Sequence, residues 1–382
     1  MRILIDAKNL ALYKGGISYW LSHKLKQWFE VVKKDQEFTI LYPAGPNLNL
    51  IQFDEVDHQT LAWPFFLPRK LRHIWYDNIS FPMAVKKIRP QFIFSPYHDV
   101  RLPKKSAQIF SVITVHDLCF LDAPKAYPWF IRVYYLWMLR LNLSRASHVI
   151  TISEATRNRL KNAFGITAKK ISIIPNAIDP DFLRSIPSPA DQQGWRRQFN
   201  DADAKIVLYS SGIEHRKNIA RLLAAFRQLW LQGHKLFLCI TGNVDPRWQY
   251  LFTQEEIQSG KIRFLGYLSQ ADLRLAYQSV DLVVYPSLCE GFGRACIESM
   301  VCGTPLACSD LPVFHEVASN YATYFDPLNI DSIAKSIANS LEVGRKVPFQ
   351  DMRYQIGYVQ EEFIRVMSDL LLNAKSVEGA HQ

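Results

Sequence analysis

The chain has 382 residues, of which 48% are hydrophobic, and a formal net charge of +10. This length is too great for one ordinary hydrophobic core and sufficient for two, so it predicts two domains of similar size. The first residues already form a predicted strand, and no run of about 18 uncharged apolar residues occurs, which argues against a secretory leader and a membrane-spanning helix. We therefore expect a cytoplasmic protein.

In the first half of the chain, short apolar runs alternate with helical patterns, as is typical of βα units and parallel sheets. The predicted strands are MRILIDA, EFTILYP, FIFSPY, IFSVITV, HVITIS and KISIIP. The predicted helices include ISYWLSHKLKQWF, YPWFIRVYYLWMLRLNLSRA and EATRNRLKNAFG. Ser153 is the expected N-cap of the last of these helices. Together the elements predict one domain over residues 1–178.

A stretch rich in Pro, Asp and Ser, NAIDPDFLRSIPSPADQQGW, then indicates a linker. Beyond it, a second series of predicted strands comprises KIVLYSSG, KLFLCITG, IRFLGY, DLVVYPS, TPLACSD and TYFDP. The helices between them include NIARLLAAFRQLWLQG, SQADLRLAYQSV with Ser269 as its cap, and DSIAKSIANSLE. This series predicts a second domain over residues 179–357.

The predicted fold class is α/β, with two Rossmann-like doubly wound domains that face each other across a cleft. The last amphipathic pattern, YVQEEFIRVMSDLLLN, has no strand after it. We expect this C-terminal helix, within residues 358–382, to pack back on the first domain. Ligands of such domains bind at the carboxyl ends of the strands.

The six cysteines form no Cys-x-x-Cys pair and have no paired histidines nearby, so the sequence indicates neither a zinc site nor a disulfide framework. Reduced and mostly buried thiols are expected at all six positions, which are Cys119, Cys239, Cys289, Cys296, Cys302 and Cys308.

The excess of positive over negative charge is confined to the first half of the chain. Residues 1–180 hold 25 basic and 13 acidic residues, a net charge of +12, whereas residues 181–382 hold 20 and 22, a net charge of −2. A basic half is compatible with an anionic membrane surface, with a nucleic acid or simply with solubility.

The segment CEGFGRACIESM, residues 289–300, contains the most informative motif. It places a glycine turn between a predicted strand and a helix that ends at Gly303, so free amide groups and the positive end of the helix dipole favour an anion such as a phosphate. Glu290 and Glu298 flank this turn, and each carboxylate could hold hydroxyls of a sugar nucleotide. Taken singly, each glutamate is more often a solvated or dipole-stabilising residue.

A dinucleotide site is an alternative, because Gly291-x-Gly293-x-x-Cys296 approaches the G-x-G-x-x-G pattern and Asp310 follows at a suitable distance. The third glycine is absent, however, and PSLCE separates the strand from the first glycine, so this alternative is the weaker one.

The segment Glu290-GFGRACI-Glu298 resembles the E-x7-E motif of the retaining glycosyltransferases of family 4, which have the GT-B fold. The resemblance covers nearly the whole chain. In the second half it extends to SSGIEHRKNI, SQADLRLAYQSVDLVVYPS and PLACSDLPVFHEVA, and in the first half to KGGISYW, TVHDLCFLDAP, TISEATR and IIPNAID, in the family's order.

The resemblance implies roles for residues of the second domain. Arg216 and Lys217 would hold the donor diphosphate, as planar and point cations suit phosphate oxygens. Glu290 would bind hydroxyls of the transferred sugar, as a positioning and electrostatic group, and Glu298 would bind the ribose. The turn of Gly291, Phe292 and Gly293 would approach the phosphates. Many relatives carry an arginine where this chain has Ile213, so Arg216 is expected to take its place.

In the first domain, the resemblance makes Gly15 and Gly16 a turn that contacts the donor, and it places His116 near the transferring sugar with Asp117 in a supporting role. The alternatives are an ordinary tight turn at Gly15 and Gly16 and a purely structural role for the pair of His116 and Asp117. No metal and no other cofactor are expected. The D-x-D motif Asp201-Ala-Asp203 precedes a predicted strand at the edge away from the ligand and is interpreted as a solvated loop.

The resemblance points to hexosyl transfer to a glycan or lipid-diphosphate acceptor in polysaccharide assembly, with GDP-mannose as the favoured donor and UDP-sugars as the alternative. LAWPFFLPRKLRHIW and YPWFIRVYYLWMLRLNL mix aromatic and basic residues, which suits the inner leaflet of the cytoplasmic membrane, although the second stretch also reads as a core helix. A non-catalytic sugar-nucleotide-, dinucleotide- or RNA-binding protein is the rival class, and nucleic-acid binding is not expected because no such module is recognisable.

Overall fold

The computed structural model of the protein describes residues 1–9, 16–32, 36–44, 56–64, 66–104, 108–199, 201–242, 244–349 and 351–379. The chain divides into two structural units. The first comprises Met1–Leu118, Trp129–Asn176 and Gly357–Gln382, and the second comprises Cys119–Pro128 and Ala177–Ile356. The segment Cys119–Pro128 thus leaves the first unit and packs with the second, an excursion that no sequence pattern indicates.

Strands and helices alternate along the described parts of both units. The strands are β1 (Arg2–Asp6), β2 (Glu37–Pro43), β3 (Asp57–Leu61), β4 (Phe92–Ser95), β5 (Phe110–Val115), β6 (His148–Thr151), β7 (Ile171–Ile173), β8 (Lys205–Tyr209), β9 (Leu236–Thr241), β10 (Ile262–Gly266), β11 (Leu282–Tyr285), β12 (Leu306–Ser309) and β13 (Ala322–Phe325).

The helices are α1 (Gly16–Val32), α2 (Arg69–Trp75), α3 (Phe81–Ile88), α4 (Cys119–Asp122), α5 (Trp129–Arg145), α6 (Glu154–Phe164), α7 (Pro180–Arg184), α8 (Pro189–Arg196), α9 (Ile219–Leu231), α10 (Gln254–Gln258), α11 (Gln270–Ser279), α12 (Arg294–Val301), α13 (Pro312–Ala318), α14 (Ile330–Glu342) and α15 (Ile356–Gly379). A π-helical turn, Tyr76–Ser80, joins α2 to α3. Short 3₁₀ turns lie at Pro124–Ala126, Ala168–Lys170, His215–Lys217, Pro246–Leu251, Ser319–Tyr321 and Met352–Tyr354.

The first unit is built on a seven-stranded parallel sheet in the order β3-β2-β1-β4-β5-β6-β7. Trp28 of α1 lies at the centre of its core, fully buried and edge-on to Phe94 of β4 and to Phe363 of α15, with ring centroids 6.3 and 6.1 Å away. The C-terminal helix therefore packs on the first unit, as the amphipathic pattern without a following strand predicts.

The second unit is built on a six-stranded parallel sheet in the order β10-β9-β8-β11-β12-β13. All six strands coincide with the apolar runs of the second half of the sequence. The central strands are buried on both faces because helices cover them, α9 and α14 packing on one side of the core. A parallel sheet of this kind collects the ends of its strands at one edge, where the turns that carry function begin.

Two predicted helix caps are confirmed. Ser153 accepts a hydrogen bond from the amide of Thr156 at 3.1 Å, and Ser269 accepts one from the amide of Asp272 at 3.1 Å. Gly303 ends α12 with a φ of +66°, a backbone conformation that favours glycine.

The cysteines differ in part from the expectation of six reduced thiols. Cys239, Cys296, Cys302 and Cys308 are free and buried, as predicted. Cys119 and Cys289, in contrast, form a disulfide within the second unit, in a small apolar cluster that includes Ala123. The expectation failed here because the two residues are 170 positions apart, and only the excursion at Cys119–Pro128 brings them together.

Candidate functional site

The glycine turn between β11 and α12 needs glycine at Gly293 for two physical reasons. Its φ is +99°, and a Cβ atom built there would lie only 2.7 Å from Cε1 of Phe314. Gly293 occupies the N-cap position of α12, and the first amides of the helix follow it. Gly291 begins the turn, and the buried ring of Phe292 packs 5.4 Å from that of Tyr354, which fixes the turn from behind.

Glu290 enters this turn as a buried carboxylate held by cations. Its Oε1 accepts hydrogen bonds from Nζ of Lys217 and, at 2.7 Å, from Oγ of Ser287, and its Oε2 lies 3.4 Å from Nη1 of Arg216. Burial alone would raise the pKa of this carboxyl, but the charges of Lys217 and Arg216 and the two hydrogen bonds outweigh burial and hold the pKa below its usual value. Glu290 is therefore ionised at neutral pH.

The two cations come from the 3₁₀ turn His215–Lys217, which follows β8 and precedes α9. Asn218 ends this turn in the left-handed conformation, and its side-chain amide donates to the carbonyl oxygen of Pro286 at 3.0 Å. The amide of Leu288 in turn donates to the carbonyl oxygen of Arg216 at 2.8 Å. These bonds fix the turn that carries the cations directly against the turn that carries Glu290.

Glu298 belongs to a neighbouring group of residues. It lies on α12, where its carboxylate accepts a hydrogen bond from Oη of Tyr277 at 2.9 Å and one from Nη2 of Arg294 at 3.2 Å. The structure thus brings Arg216, Lys217 and Glu290 into one cluster and holds Glu298 in another. Both carboxylates act on the thiol of Cys296, whose pKa is raised first by burial and contact with Cys308 and then by these two charges.

The dinucleotide alternative finds little support in this geometry. Cys296, at the place of the third glycine, is buried inside α12, and Asp310 is engaged on the surface by Nε2 of His315 at 2.6 Å. The glycine turn also follows β11, whereas the dinucleotide pattern belongs to the first strand of a βαβ unit, which is β8 here. Ile213, at the place of the arginine of many relatives, is buried in the core. Arg216 and Lys217, from the same segment between β8 and α9, contact Glu290.

In the first unit, His116 directly follows β5 and is buried. Its Nε2 donates to the carbonyl oxygen of Pro96 at 2.9 Å, which leaves Nδ1 as the acceptor nitrogen of the neutral ring. Burial lowers the pKa of His116 to about 4, and the opposing effects of the Pro96 hydrogen bond and of Asp117 only partly offset it. The imidazole is therefore neutral at pH 7.

Asp117 acts electrostatically on His116 and also on His98, which lies after β4. Gly16 is the first residue of α1, as its predicted place between strand and helix requires. Gly15 lies outside the described residues. The structure therefore gathers His116 and Asp117 at one edge of the sheet and puts Gly16 at a helix start.

A buried ionic cluster in the first unit was missed from the sequence. Lys8 is fully buried and pairs with Asp77 and, at 2.7 Å, with Oδ2 of Asp99, while Asp6 accepts a hydrogen bond from Oη of Tyr76 at 3.1 Å. Burial raises the pKa of Asp6 to about 6, partly opposed by Lys8. The available signal was the polar pair Lys8 and Asn9, one position beyond the carboxyl end of β1, where ligands of parallel sheets bind.

Among the residues that the structure describes, no three His, Cys, Asp or Glu side chains are arranged to hold a metal ion. Asp201 and Asp203 of the D-x-D lie before β8, where Lys235 approaches them to 3.6 and 4.0 Å. They lie at the amino end of that strand, as predicted.

Two family models match the chain, and together they cover most of it. The model of glycosyltransferase family 4 matches residues 30–182, and that of the glycosyl transferases group 1 matches residues 191–355. The first range lies largely in the first unit and includes His116, and the second lies in the second unit and includes Lys217, Glu290 and Glu298.

Curated relatives are moderately similar. The O-antigen chain mannosyltransferase B of Escherichia coli is 30% identical over a match that spans 61% of this chain and 61% of its own length. The O-antigen chain mannosyltransferase RfbU of Salmonella typhimurium is 25% identical over 74% of this chain and 78% of its own length.

The fold also has close counterparts among solved structures. The Anabaena protein HepE, crystallised in complex with UDP and glucose, superposes with a TM-score of 0.66 at 18% identity, over 97% of this chain and all of that one. Two parallel α/β units of this kind are the GT-B fold. On the family matches, the fold and the glutamate motif together, the chain belongs to family 4 of the glycosyltransferases.

Proposed function

We propose that the protein is a retaining glycosyltransferase that moves a hexose from a nucleoside-diphosphate sugar to a glycan or lipid-linked acceptor in polysaccharide or glycolipid assembly. The observation that carries this proposal is the cluster of Glu290 with Lys217 and Arg216 beside the amides at the start of α12. A buried carboxylate with two cations at a helix N-terminus provides both anion-binding and hydroxyl-binding groups in one place.

The chemistry of sugar transfer explains why cations are needed there. As the bond between sugar and diphosphate breaks, negative charge develops on the departing phosphate, and groups already aimed at that charge lower the barrier. Lys217, Arg216 and the amides after Gly293 would supply the positive potential. Because the 3₁₀ turn is bonded to the Glu290 turn, these groups need little reorganisation when the donor binds.

Glu290 is assigned a positioning and electrostatic role. Both its oxygens already accept hydrogen bonds from Lys217, Arg216 and Ser287, and such a carboxylate is poorly prepared to attack a sugar carbon. It would orient hydroxyls of the transferred hexose, and transfer would take place on the face from which the diphosphate departs. Glu298, fixed by Tyr277 and Arg294, would hold the ribose.

The first unit would bind the acceptor. His116 is neutral and buried at the end of β5, so it could exchange a hydrogen bond with the transferring sugar without adding a charge. Asp117 would support it, and Gly15 and Gly16 would approach the donor. No metal ion and no other cofactor would take part, because Lys217 and Arg216 carry the positive charge that a divalent cation supplies in other glycosyltransferases.

GDP-mannose is the favoured donor and mannose the transferred sugar, since both curated relatives are named mannosyltransferases. A UDP-sugar is the alternative, supported by the complex of the Anabaena neighbour with UDP and glucose. We place the protein in the cytoplasm, at the inner leaflet of the membrane. Over the described part of the chain, no helix combines the length and the apolar character that crossing a bilayer requires.

A donor panel tests the proposal. Purified protein is incubated in EDTA with GDP-mannose and with several UDP-sugars, and release of the nucleoside diphosphate and binding by calorimetry are followed. We expect one donor to bind and to be slowly hydrolysed without metal. Glu255→Gln, which alters an exposed glutamate on α10, is the matched control for Glu290→Gln and should leave both readouts unchanged.

The panel also includes NAD and a structured RNA, which represent the rival binding functions. Binding of either one in place of every sugar nucleotide would contradict the proposal. A requirement for added Mg²⁺ or Mn²⁺ would contradict the metal-free part alone.

A further inference from the structure

The first unit carries an exposed apolar stripe along the continuous helical segment of residues 69–88. Leu71, Trp75, Ile79 and Met83 follow one another at intervals of four, and all are exposed, Met83 to 65%. On a regular α-helix this spacing drifts by about 40° at each step. The wider π-helical turn Tyr76–Ser80 lies in the middle of the segment and offsets part of that drift, so the four side chains stay on one side.

A second stripe runs along α5. Trp129, Phe130, Val133 and Trp137 are exposed, Trp129 to 74%, whereas Leu139 on the other side of the helix is fully buried. The sequence of this stretch is compatible with a core helix and with a surface helix, and in the structure one side of α5 is buried and the other is exposed. Single exposed apolar residues are ordinary on protein surfaces, but a row of aromatic ones marks a contact surface.

The two stripes belong to neighbouring helices. Asn78, next to Ile79, donates a hydrogen bond through Nδ2 to Oη of Tyr134, next to Val133, at 2.9 Å. We call the eight exposed side chains of residues 71, 75, 79, 83, 129, 130, 133 and 137 the aromatic face. Three of them are tryptophans, the residue type that prefers the boundary between hydrocarbon and water.

The charges around the aromatic face have one sign. Residues 62–89 hold six Lys and Arg and a single acid, Asp77, which is buried against Lys8, and residues 129–145 hold three Arg and no acid. Lys86, Lys87, Arg89 and Arg140 are exposed. No described carboxylate of these two segments therefore faces the solvent.

We propose that the aromatic face docks on an anionic phospholipid bilayer, with its tryptophans inserted at the headgroup boundary and its lysines and arginines against the lipid phosphates. Apolar side chains bordered by cations, with no exposed carboxylate between them, match a surface whose only charges are negative. This inference deepens the proposed function, on which it rests for its purpose, by naming the surface that brings the enzyme to a lipid-linked acceptor.

A second copy of the chain is a poorer occupant of this surface. In a symmetric dimer through the aromatic face, the exposed cations of one copy would meet those of the other, and like charges brought together oppose association. An anionic bilayer relieves the same charges instead.

Vesicle sedimentation tests the proposal on the full chain. Wild type, Trp129→Ser/Trp137→Ser and the control Tyr250→Ser/Tyr267→Ser, which removes two exposed aromatic residues of the second unit, are mixed with phosphatidylcholine vesicles with or without phosphatidylglycerol. We expect wild type and control to partition to the vesicles that contain phosphatidylglycerol. The double tryptophan variant should bind these vesicles at least about tenfold more weakly. Lys86→Gln/Lys87→Gln should weaken binding in a salt-dependent way.

Equal partitioning of the tryptophan variant and the wild type would overturn the proposal, as would equal binding to both kinds of vesicle. A wild-type dimer that the tryptophan substitutions convert to a monomer would assign the face to a second copy instead. Hydrolysis of the soluble donor without vesicles separates this inference from the proposed function. If vesicle binding is intact and no donor is hydrolysed, the proposed activity fails and the docking surface stands.

Discussion

At the scale of single residues, the ion pair between Lys217 and Glu290 is the central feature of the candidate site. Both side chains are about nine-tenths buried, so each charge relies on the other rather than on water. Removing either one leaves a buried charge without its main partner. In the proposed function, Lys217 would share its charge between Glu290 and the diphosphate of the donor.

We predict that Lys217→Gln lowers the rate of nucleoside diphosphate release by about 100-fold or more, as expected when one group that stabilises developing charge is lost. The pKa of Glu290 should rise, because the largest charge that lowers it is removed. Lys235→Gln, which alters an exposed lysine paired with Asp201, is the matched control. A Lys217→Gln rate close to wild type, with the fold intact by circular dichroism, would refute the role of Lys217.

The lowered pKa of His116 makes the free energy of unfolding of the first unit depend on pH. Its pKa is about 4 in the folded protein and about 6.5 when exposed, so unfolding takes up a proton below pH 6.5. The stabilisation is complete above pH 6.5 and is lost as the pH falls towards 4, by up to about 3 kcal/mol. His116→Asn should therefore make the melting temperature fall less steeply between these pH values.

The control for this measurement is His234→Asn, which replaces an exposed histidine of the second unit and should keep the wild-type slope. His148, whose pKa is also lowered to about 4, first by burial and then by Lys170, accounts for part of the slope that remains. Identical slopes for His116→Asn and wild type would show that His116 is not held neutral.

At the scale of elements, the excursion Cys119–Pro128 connects the two groups of predicted residues along the chain. It begins three positions after His116, and its first residue, Cys119, is bonded to Cys289, directly before Glu290. The disulfide therefore fixes α4 to the turn that carries Glu290. In a reducing cytoplasm the same pair would be two thiols, so the redox conditions of every assay need to be stated.

We predict that Cys119→Ser lowers the stability of the second unit by about 2–4 kcal/mol under non-reducing conditions, because the cross-link closes a long loop of the unfolded chain. The measurement is thermal unfolding with and without dithiothreitol. Wild type should become less stable on reduction and approach the variant, which should not respond. A wild type that is insensitive to dithiothreitol would contradict the disulfide.

The elements also show what sequence patterns could predict. All strands of the second unit follow apolar runs and were predicted, whereas β3, with the sequence DHQTL, is a polar strand at the sheet edge and has no such pattern. Residues 61–75 were interpreted as an aromatic and basic stretch, and the helical segment of residues 69–88 was not predicted, since Pro82 and the π-helical turn interrupt the regular period. The excursion depends on tertiary packing alone.

At the scale of the whole molecule, the candidate site was predictable to the extent that it lies at the ends of strands. Glu290, Gly293 and His116 each follow a predicted strand, so the parallel sheets alone indicate their position. The family resemblance assigned Lys217 to the donor diphosphate and Glu290 to the sugar, but their direct contact across 73 residues was not predicted, because no local pattern contains it. The Lys8 cluster was missed because it joins three distant segments, around residues 8, 77 and 99.

The most direct test of the central claim is the rate of GDP release from GDP-mannose, in EDTA, by wild type and by Glu290→Gln. We expect slow hydrolysis by wild type and a loss of about 100-fold or more in the variant, which keeps the size of the side chain but not its charge. Equal release by both proteins would contradict the assignment of Glu290 as the centre of the donor site. If neither protein releases a nucleoside diphosphate from this donor or from any UDP-sugar, the proposed transferase activity itself is wrong.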